Sequence, residues 1–207
     1  MSGELRGELS GEFTGKYTDS GRAGRWLVDR FFTAVGDLVR AARVPAGARV
    51  LEAGCGAGYS TQRIRAMLPD ATDLLACEIE SAHASAAQAR NPAVAVTQAS
   101  IYAAPHPDRS FDLVLLLEVL EHLHDPHACL RELHRISRGR VIVSTPREPL
   151  WRALNLCRGK YWRDLGNTPG HVRHWSTRAL IGEVSGLFEV EAVRTPVPWT
   201  MLLLRPR

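Results

Sequence analysis

Two short segments of the chain combine residue types that suit ligand binding and chemistry. The first is Glu52-Ala53-Gly54-Cys55-Gly56-Ala57-Gly58, in which alternating glycines follow a carboxylate. Glycines at a turn let the backbone come close to a ligand, and a helix that follows the turn offers N–H groups at its positive end. A dinucleotide-binding GxGxxG pattern starting at Gly54 needs a glycine where the chain has Tyr59. The segment therefore predicts a ligand-binding turn of the GxGxG type.

The second segment contains Glu118, Glu121 and His122. Residues at i, i+3 and i+4 share one face of a helical turn, so such a turn would bring these three side chains together. Two hard carboxylates with one imidazole suit Mg²⁺, Mn²⁺ or zinc, and a bound ion lowers the pKa of a substrate hydroxyl. The spacing is therefore compatible with a divalent metal site.

Alternating strand and helix patterns position both segments. Apolar runs predict strands at residues 49–53, 74–78, 94–98, 111–117 and 141–144, with helical patterns between them and a further helical pattern over residues 26–42. The glycine segment follows the first strand, and the acidic segment follows the fourth. Both segments should therefore lie at the carboxyl edge of a parallel sheet, where open α/β sheets bind ligands.

The C-terminal region predicts two more strands, at residues 188–194 and 200–204. Pro196 and Pro198 separate them, and the connection is too short for a helical crossover, so these strands should pair antiparallel. The expected fold class is α/β: a single doubly wound, Rossmann-like sheet of seven strands, mostly parallel with an antiparallel C-terminal strand, and with helices on both faces.

Length and composition limit the alternatives. The 207 residues suffice for one α/β domain, and 45% apolar with 23% charged residues is a globular balance. Four cysteines stand singly, which suggests neither a zinc cluster nor a disulfide framework. The longest apolar run is interrupted by Glu118 and is too short to cross a bilayer, and residues 1–24 lack the apolar core of a secretory signal. We therefore expect a soluble, cytoplasmic protein.

The glycine segment resembles the first motif of the class I S-adenosylmethionine (SAM)-dependent methyltransferases, (D/E)xGxGxG. Glu52, Gly54, Gly56 and Gly58 match it position by position, and Cys55 lies within the same loop. The resemblance implies that this loop wraps the methionine part of SAM. It also implies that Glu52 helps to hold the loop and the ammonium group of the cofactor.

The next two strand ends extend the resemblance. Glu78 matches the family's acidic residue at the end of the second strand, which accepts hydrogen bonds from the ribose, and Ile79 would then pack on adenine. After the third strand the family usually has an aspartate that reaches the adenine amino group. This chain has Ser100-Ile101 instead, so we expect backbone groups and a hydroxyl to make the adenine contact.

The sequence Glu118-Val119-Leu120-Glu121-His122-Leu123 resembles the fourth-strand motif of a branch of methyltransferases, type 11-like, that includes quinone-biosynthesis O-methyltransferases and small-RNA 2′-O-methyltransferases. In parts of that branch the motif holds a divalent ion, and the RNA enzymes place a histidine before a tryptophan, as His171 is placed here. The implied metal ligands are Glu118, Glu121, His122 and His171. In relatives without a metal, Glu118 lines the SAM pocket and His122 caps a helix or serves as a general base. The candidate catalytic residues are thus His122, Glu118 and His171.

Two segments flank or interrupt the predicted domain. Residues 1–25 repeat a glycine every fourth position and predict a flexible arm that orders over a ligand, ahead of a methyltransferase domain at 26–207. Residues 146–175 predict a substrate lid with three tryptophans and with six cations against two acids. This mixture suits an anionic or aromatic acceptor. In the alternative interpretation, the tryptophans pack the lid onto the domain and the arginines stay in solvent.

The predicted function is SAM-dependent methyl transfer to a small molecule, with a hydroxyl oxygen as the first choice of acceptor atom and nitrogen or carbon as the second. Three alternatives remain: an RNA 2′-O-methyltransferase, a SAM-binding protein without catalysis, and an NAD-dependent oxidoreductase. The sequence disfavours a nucleic-acid partner because the chain has no added RNA-binding module and its positive charge is confined to one segment. It gives no indication of the oligomeric state.

Overall fold

All the strands predicted from the sequence pair into one sheet in a computed structural model, which describes residues 21–207. The strands are β1 (Arg49–Ala53), β2 (Asp73–Glu78), β3 (Ala95–Gln98), β4 (Phe111–Leu117), β5 (Ser137–Pro146), β6 (Phe188–Arg194) and β7 (Trp199–Pro206). Their order is β3-β2-β1-β4-β5-β7-β6. Strands β1 to β5 pair in parallel, and β7 is antiparallel to both β5 and β6. This confirms the predicted fold class.

Within residues 21–207, six α-helices connect or flank these strands. They are α1 (Arg22–Ala42), α2 (Tyr59–Arg65), α3 (Ser81–Arg90), α4 (Pro126–Ile136), α5 (Leu150–Cys157) and α6 (Thr177–Val184), with 3-10 turns at Leu120–His122 and Trp162–Asp164. The predicted start of α4 is confirmed, because the Asp125 side chain accepts a hydrogen bond from the Ala128 N–H. Helix α1 begins at Arg22, earlier than predicted, so the expected arm now covers residues 1–20, which lie outside the described residues.

The sheet divides the apolar core into two clusters. On β4, Leu113, Leu115 and Leu117 face one cluster, while Val114 and Leu116 face the other, as the alternation of a strand requires. The first cluster is covered by α1, α2 and α3, and the second by α4 and α6. The helices therefore lie on both faces of the sheet. None of the described helices is long and apolar enough to cross a membrane.

Strand β5 begins four residues before the predicted start, directly after α4. At this point Gly139 passes so close to β4 that a Cβ on it would lie 2.0 Å from the Asp112 carbonyl oxygen. The pairing of β4 and β5 shifts register nearby, between Phe111 and Leu113. A close approach of two backbones was not visible in the apolar pattern, because the residues concerned are charged or glycine.

Candidate active site

The three glycines of the first motif do not all have the same structural role. Gly54, Gly56 and Gly58 all have positive φ, at 74°, 53° and 80°. A Cβ on Gly54 would lie 2.6 Å from a methyl of Val119, and a Cβ on Gly58 would lie 2.8 Å from the Cα of Ala87. A Cβ on Gly56 would meet nothing within 4 Å. Two of the glycines therefore allow close packing, and Gly56 faces open space.

The loop is fastened to the end of β2. The N–H groups of Gly54 and Cys55 donate to the Cys77 carbonyl, at 2.8 and 3.0 Å, and the Gly56 N–H donates to Glu78 Oε2 at 2.9 Å. The other oxygen of Glu78 accepts hydrogen bonds from the N–H groups of the next two residues. Glu78 is therefore held rigidly beside the loop, and this bracing role was not anticipated from the sequence.

Glu52 holds the loop from behind. Its side chain is 1% exposed and accepts a hydrogen bond of 2.6 Å from Thr61 Oγ1 at the start of α2. Burial raises the pKa of Glu52 to about 7. Because Glu52 is not among the residues that line the cavity described next, its expected contact with a cofactor ammonium group stays a prediction.

A cavity of about 530 Å³ opens at the carboxyl edge of the sheet. Most of the cofactor-binding residues predicted from the sequence line it, namely Gly54, Cys55, Gly56, Glu78, Ile79, Ser100, Ile101 and Glu118. Ile79 is 60% exposed at this site, and the Ser100 hydroxyl oxygen accepts a hydrogen bond from the Tyr102 N–H. A cavity of this size is in the range that proteins use for small-molecule ligands.

Part of the cavity lining is an aromatic wall. Phe31 and Phe32 from α1 and Trp199 from β7 line it, and the Phe31 ring packs edge-on against both of the others at about 5 Å between centroids. Sequence analysis missed all three residues as site residues. The helical period of α1 indicated only that it covers the sheet, and Trp199 lies far along the chain from the recognised motifs.

Glu118 also lines the cavity. Its carboxylate accepts hydrogen bonds from Ser144 Oγ at 2.9 Å and from Trp199 Nε1 at 2.6 Å, and its backbone N–H donates to the same serine. The φ of Glu118 is +58°, a conformation that a glutamate rarely adopts. Such a conformation persists where the surrounding contacts hold it, and it is frequent at functional sites.

Three of the four predicted metal ligands lie together. Side-chain ligand atoms of Glu121, His122 and His171 are all within 4.8 Å of one another, and Glu121 and His171 are 1% and 5% exposed. The predicted quartet is corrected in one member, because the Glu118 carboxylate is bonded to Ser144 and Trp199 instead. The reason is local geometry: residues Leu120–His122 form a 3-10 turn that follows the left-handed Glu118, so the predicted helical face does not form.

The same cluster joins the sheet edge to the lid. The His122 Nδ1 is 3.0 Å from the Gly170 carbonyl oxygen, and the Glu121 carbonyl accepts hydrogen bonds from the N–H groups of Val172 and Arg173. A carbonyl oxygen can only accept, so Nδ1 carries the proton and the neutral ring has its lone pair on Nε2. His122 also lines the cavity, but its Nε2 is buried and lies 3.9 Å from Glu121 Oε1.

The lid, residues 146–175, contributes two buried tryptophans to the packing of the domain. Trp151 and Trp175 are buried at 9% and 7% exposure, and Trp151 Nε1 donates a hydrogen bond to Thr168 Oγ1 at 2.9 Å. They pack the lid onto the domain, as the alternative interpretation held. Among the described residues that line the cavity there is no arginine or lysine. The expectation that the lid cations bind an anionic acceptor therefore stays a prediction.

Comparisons with known proteins agree with this geometry. Residues 51–143 match the family model described as "Methyltransferase domain" (Methyltransf_11). The chain is 38% identical over 99 residues to a "Probable S-adenosylmethionine-dependent methyltransferase" of Mycobacterium tuberculosis, which covers 47% of this chain and 35% of that protein. It is 33% identical over 150 residues to a protein of the same description from Mycolicibacterium smegmatis, which covers 70% of this chain and 54% of that protein.

The fold has solved counterparts. A SAM-dependent methyltransferase from Aquifex aeolicus superposes with a TM-score of 0.67 at 17% identity, over 83% of this chain and 88% of that one. The sheet order and the glycine turn after β1 define a class I methyltransferase fold. Residues 51–143 are thus similar to the methyltransferase domain of SAM-dependent methyltransferases. The chain spans about a third to a half of the length of these curated relatives.

Proposed function

We propose that the protein transfers the methyl group of SAM to a hydroxyl oxygen of a small molecule with an apolar or aromatic body. One observation carries the proposal: the glycine loop, Glu118, His122 and an aromatic wall all line a single cavity. A methyltransferase must hold cofactor and acceptor in one line and exclude water, and a shared cavity with two unlike parts suits that task. We assign the glycine loop as its cofactor end and the aromatic wall as its acceptor end.

The cofactor end fits SAM in three respects. Gly56 leaves space beside the loop for the methionine part, and the Glu78 carboxylate is fixed at the strand end where a ribose diol could donate to it. Ile79 offers an exposed apolar side chain to adenine, and the Ser100 hydroxyl keeps its own proton to donate. Each of these contacts is part of the proposal.

The acceptor end favours an apolar or aromatic molecule. Phe31, Phe32 and Trp199 form its wall, and an aromatic acceptor would pack on these rings. The described lining has carboxylates and histidines but neither arginine nor lysine, so it offers no charged partner for a phosphate. The same fact weighs against an RNA acceptor, whose backbone would bring phosphates to the site.

The transfer itself asks little of the protein. The sulfonium methyl is already activated, so the acceptor oxygen attacks it in line with the S–C bond, and the acceptor loses one proton. His122 is the proposed base for that proton, because it lines the cavity and the bond from Nδ1 to the Gly170 carbonyl leaves the lone pair of the neutral ring on Nε2. In the proposal, the Glu118 carboxylate, which accepts hydrogen bonds from Ser144 and Trp199, orients the acceptor hydroxyl.

Binding and turnover test the proposal directly. Calorimetry should show a SAM dissociation constant below the millimolar range and no binding of NAD. A panel of phenols and apolar alcohols, incubated with SAM labelled in the methyl group, should yield labelled ether from at least one member. Binding of NAD without SAM would overturn the cofactor assignment. Binding of SAM with no turnover on any acceptor would favour a non-catalytic SAM-binding protein.

A second role of the cluster follows from its donor set. We propose that Glu121, His122 and His171, without Glu118, bind a divalent ion such as Mg²⁺, Mn²⁺ or zinc. Their donor types suit such an ion, and the carbonyl behind His122 is the kind of partner that orients a ligating imidazole. When bound, the ion would lower the pKa of the acceptor hydroxyl, and His122 would then serve as a ligand.

Metal analysis distinguishes the two roles of His122. After loading with Mn²⁺ or zinc and desalting, the protein should retain about one ion, and His171→Ala should retain much less. His127→Ala is a matched control, because His127 is an exposed histidine on α4 outside the cluster. If neither loading nor EDTA alters metal content, turnover or the protease resistance of the lid, His122 acts as a metal-free base.

A further inference from the structure

The outer end of the lid forms a tightly bonded turn that presents two apolar side chains to solvent. We define the lid tip as residues 158–165, between α5 and Gly166. Trp162 is 66% exposed and Leu165 is 69% exposed, the two highest values among the exposed large hydrophobic side chains of the described residues. Exposed apolar side chains that lie next to each other indicate an interaction site more often than single ones do.

The exposure of these side chains is fixed by the backbone. Tyr161 and Leu165 have φ values of 56° and 49°, in the left-handed region that non-glycine residues seldom occupy. The Gly166 N–H donates to the Tyr161 carbonyl at 2.9 Å, and the Leu165 carbonyl accepts from Arg152 Nε at 3.0 Å. The chain therefore holds Leu165 in a strained conformation that keeps it outside the core. An observed strain of this kind motivates a functional hypothesis.

The turn also closes firmly against α5. The buried Asn155 side chain donates to the Gly166 carbonyl at 2.9 Å, and its backbone carbonyl accepts from the Lys160 N–H at 2.9 Å. A Cβ on Gly166 would lie 2.3 Å from the Arg152 carbonyl oxygen, which shows how closely the two segments approach. The lid tip is thus a preorganised feature of the surface.

Cations surround the two apolar side chains. Arg158, Lys160 and Arg163 are all exposed, and Asp164 is the one acid within the lid tip. None of the three cations forms an ion pair with another residue in the described part of the chain. The lid tip therefore combines a net positive charge with a projecting tryptophan and leucine.

We propose that the lid tip binds the surface of an anionic lipid bilayer. Trp162 and Leu165 would enter the headgroup region, where an amphipathic indole and an aliphatic chain are both stable, and the three cations would attract the lipid phosphates. A projecting tip with so few apolar side chains fits this partner better than it fits a protein, because a stable protein interface needs a much wider patch on each side. Two apolar side chains make such binding weak and reversible.

Membrane binding would have a consequence for the site. The lid tip and His171 belong to the same segment, and His171 lies in the cluster that includes the cavity-lining His122. A bound bilayer would therefore contact the segment that carries His171. An apolar acceptor that partitions into lipid would be concentrated there, but the binding itself does not depend on the proposed function.

Vesicle sedimentation with the full chain tests the proposal. The bound fraction should be at least tenfold larger with vesicles of phosphatidylcholine and phosphatidylglycerol than with phosphatidylcholine alone, and it should fall as salt rises from about 50 to 500 mM because added salt screens charge attraction. Equal binding to both vesicles, or binding to neither, would overturn the proposal. Retention on heparin beads without vesicle binding would also overturn it, since that result reflects charge alone.

One double variant with a matched control assigns the contact. Trp162→Ala combined with Leu165→Gly should reduce vesicle binding about tenfold, and glycine retains the left-handed backbone at position 165. Trp26→Ala removes another exposed tryptophan, on α1, and should leave vesicle binding unchanged. SAM affinity, measured alongside, should be the same in all three proteins, which shows that each is folded. A loss of vesicle binding in Trp26→Ala as large as in the double variant would contradict the assignment to the lid tip.

Discussion

The two ends of the cavity are built in different ways. The glycine-loop end comes from consecutive residues after β1 and β2, neighbouring strands whose carboxyl ends meet at one edge. The aromatic end brings together Phe31 from α1, Leu117 from β4 and Trp199 from β7, which lie more than eighty residues apart along the chain. One end is therefore encoded locally, and the other depends on how the whole sheet is wound.

This difference explains what function each end can support. Every SAM-dependent methyltransferase binds the same cofactor, so a local motif with fixed spacing is enough at the glycine-loop end. The acceptor differs among such enzymes, and an end assembled from three distant elements can change one wall without disturbing the other. Cofactor affinity and turnover, measured independently in the same variant, distinguish an effect on one end from an effect on the other.

Gly56→Val should have the largest effect, a loss of SAM affinity of at least 100-fold. The methyl groups of valine would project from a position where no protein atom lies within 4 Å of an added Cβ, and they would occupy cofactor space. The branched side chain also strains a residue with φ of +53°, so the melting temperature must be measured alongside calorimetry. Gly182→Val, on α6 with open space around its Cβ, is the control for a valine on the surface. Unaltered SAM affinity in Gly56→Val would show that the loop does not touch the cofactor.

Glu78→Ala should weaken SAM binding by about 1.5–3 kcal/mol, the usual loss for hydrogen bonds to a charged group. The structure adds a second cause, since the same carboxylate accepts the Gly56 N–H and so positions the loop. Glu78→Gln should recover part of the affinity, because an amide oxygen can still accept one of these bonds. Calorimetry at one ionic strength suffices. A dissociation constant unchanged in Glu78→Ala would move the ribose contact elsewhere, with Glu80 as the next candidate.

The sequence predicted the strands, the fold class and most of the residues that line the cavity beside the glycine loop, and the reason is physical. Strand and helix periods are local, and the loop glycines satisfy a local backbone requirement that no other residue meets. The acceptor end gave no such signal. The aromatic side chains of α1 have the same helical spacing whether they pack in the core or line a cavity, so the pattern over residues 26–42 did not mark Phe31 and Phe32 as site residues.

The acidic segment, residues 118–122, shows the same limit of local sequence patterns within a single motif. Its residue types correctly indicated a carboxylate and histidine cluster with His171, but the conformation was wrong for Glu118. A left-handed φ at Glu118 and a 3-10 turn after it depend on bonds from Ser144 and Trp199, on β5 and β7. No spacing rule within residues 117–123 contains that information.

Trp199→Phe should lower kcat about tenfold, or roughly 1.4 kcal/mol, while changing SAM affinity less than threefold. Phenylalanine keeps an aromatic wall but cannot donate to Glu118 Oε2, so the carboxylate loses one of its two side-chain partners. Trp175→Phe is the control, because Trp175 is equally buried but packs in the opposite cluster of the core. Equal losses of turnover in both variants would mean that packing, and not the bond to Glu118, is responsible.

Glu52→Gln should have the smallest effect, a change in how stability depends on pH. The pKa of Glu52 is raised from 4.5 to about 7 in the folded chain, chiefly by burial, so between these values the folded state holds a proton that the unfolded state has lost. The contribution of protonated Glu52 to the free energy of unfolding is present in full below pH 4.5. It is lost as the pH rises through 7, at about 1 kcal/mol per pH unit around pH 5–6. Glutamine mimics the neutral acid and can still accept the Thr61 bond, so the free energy of unfolding of the variant should not fall with pH in this way.

Urea titrations at pH 5, 6 and 7 measure the free energy of unfolding of both proteins, with the exposed Glu80→Gln as the control. If the free energy of unfolding depends on pH equally in Glu52→Gln and in the unaltered protein, Glu52 is ionised behind the loop throughout this range. A charged Glu52 would then support the predicted contact with the ammonium group of the cofactor.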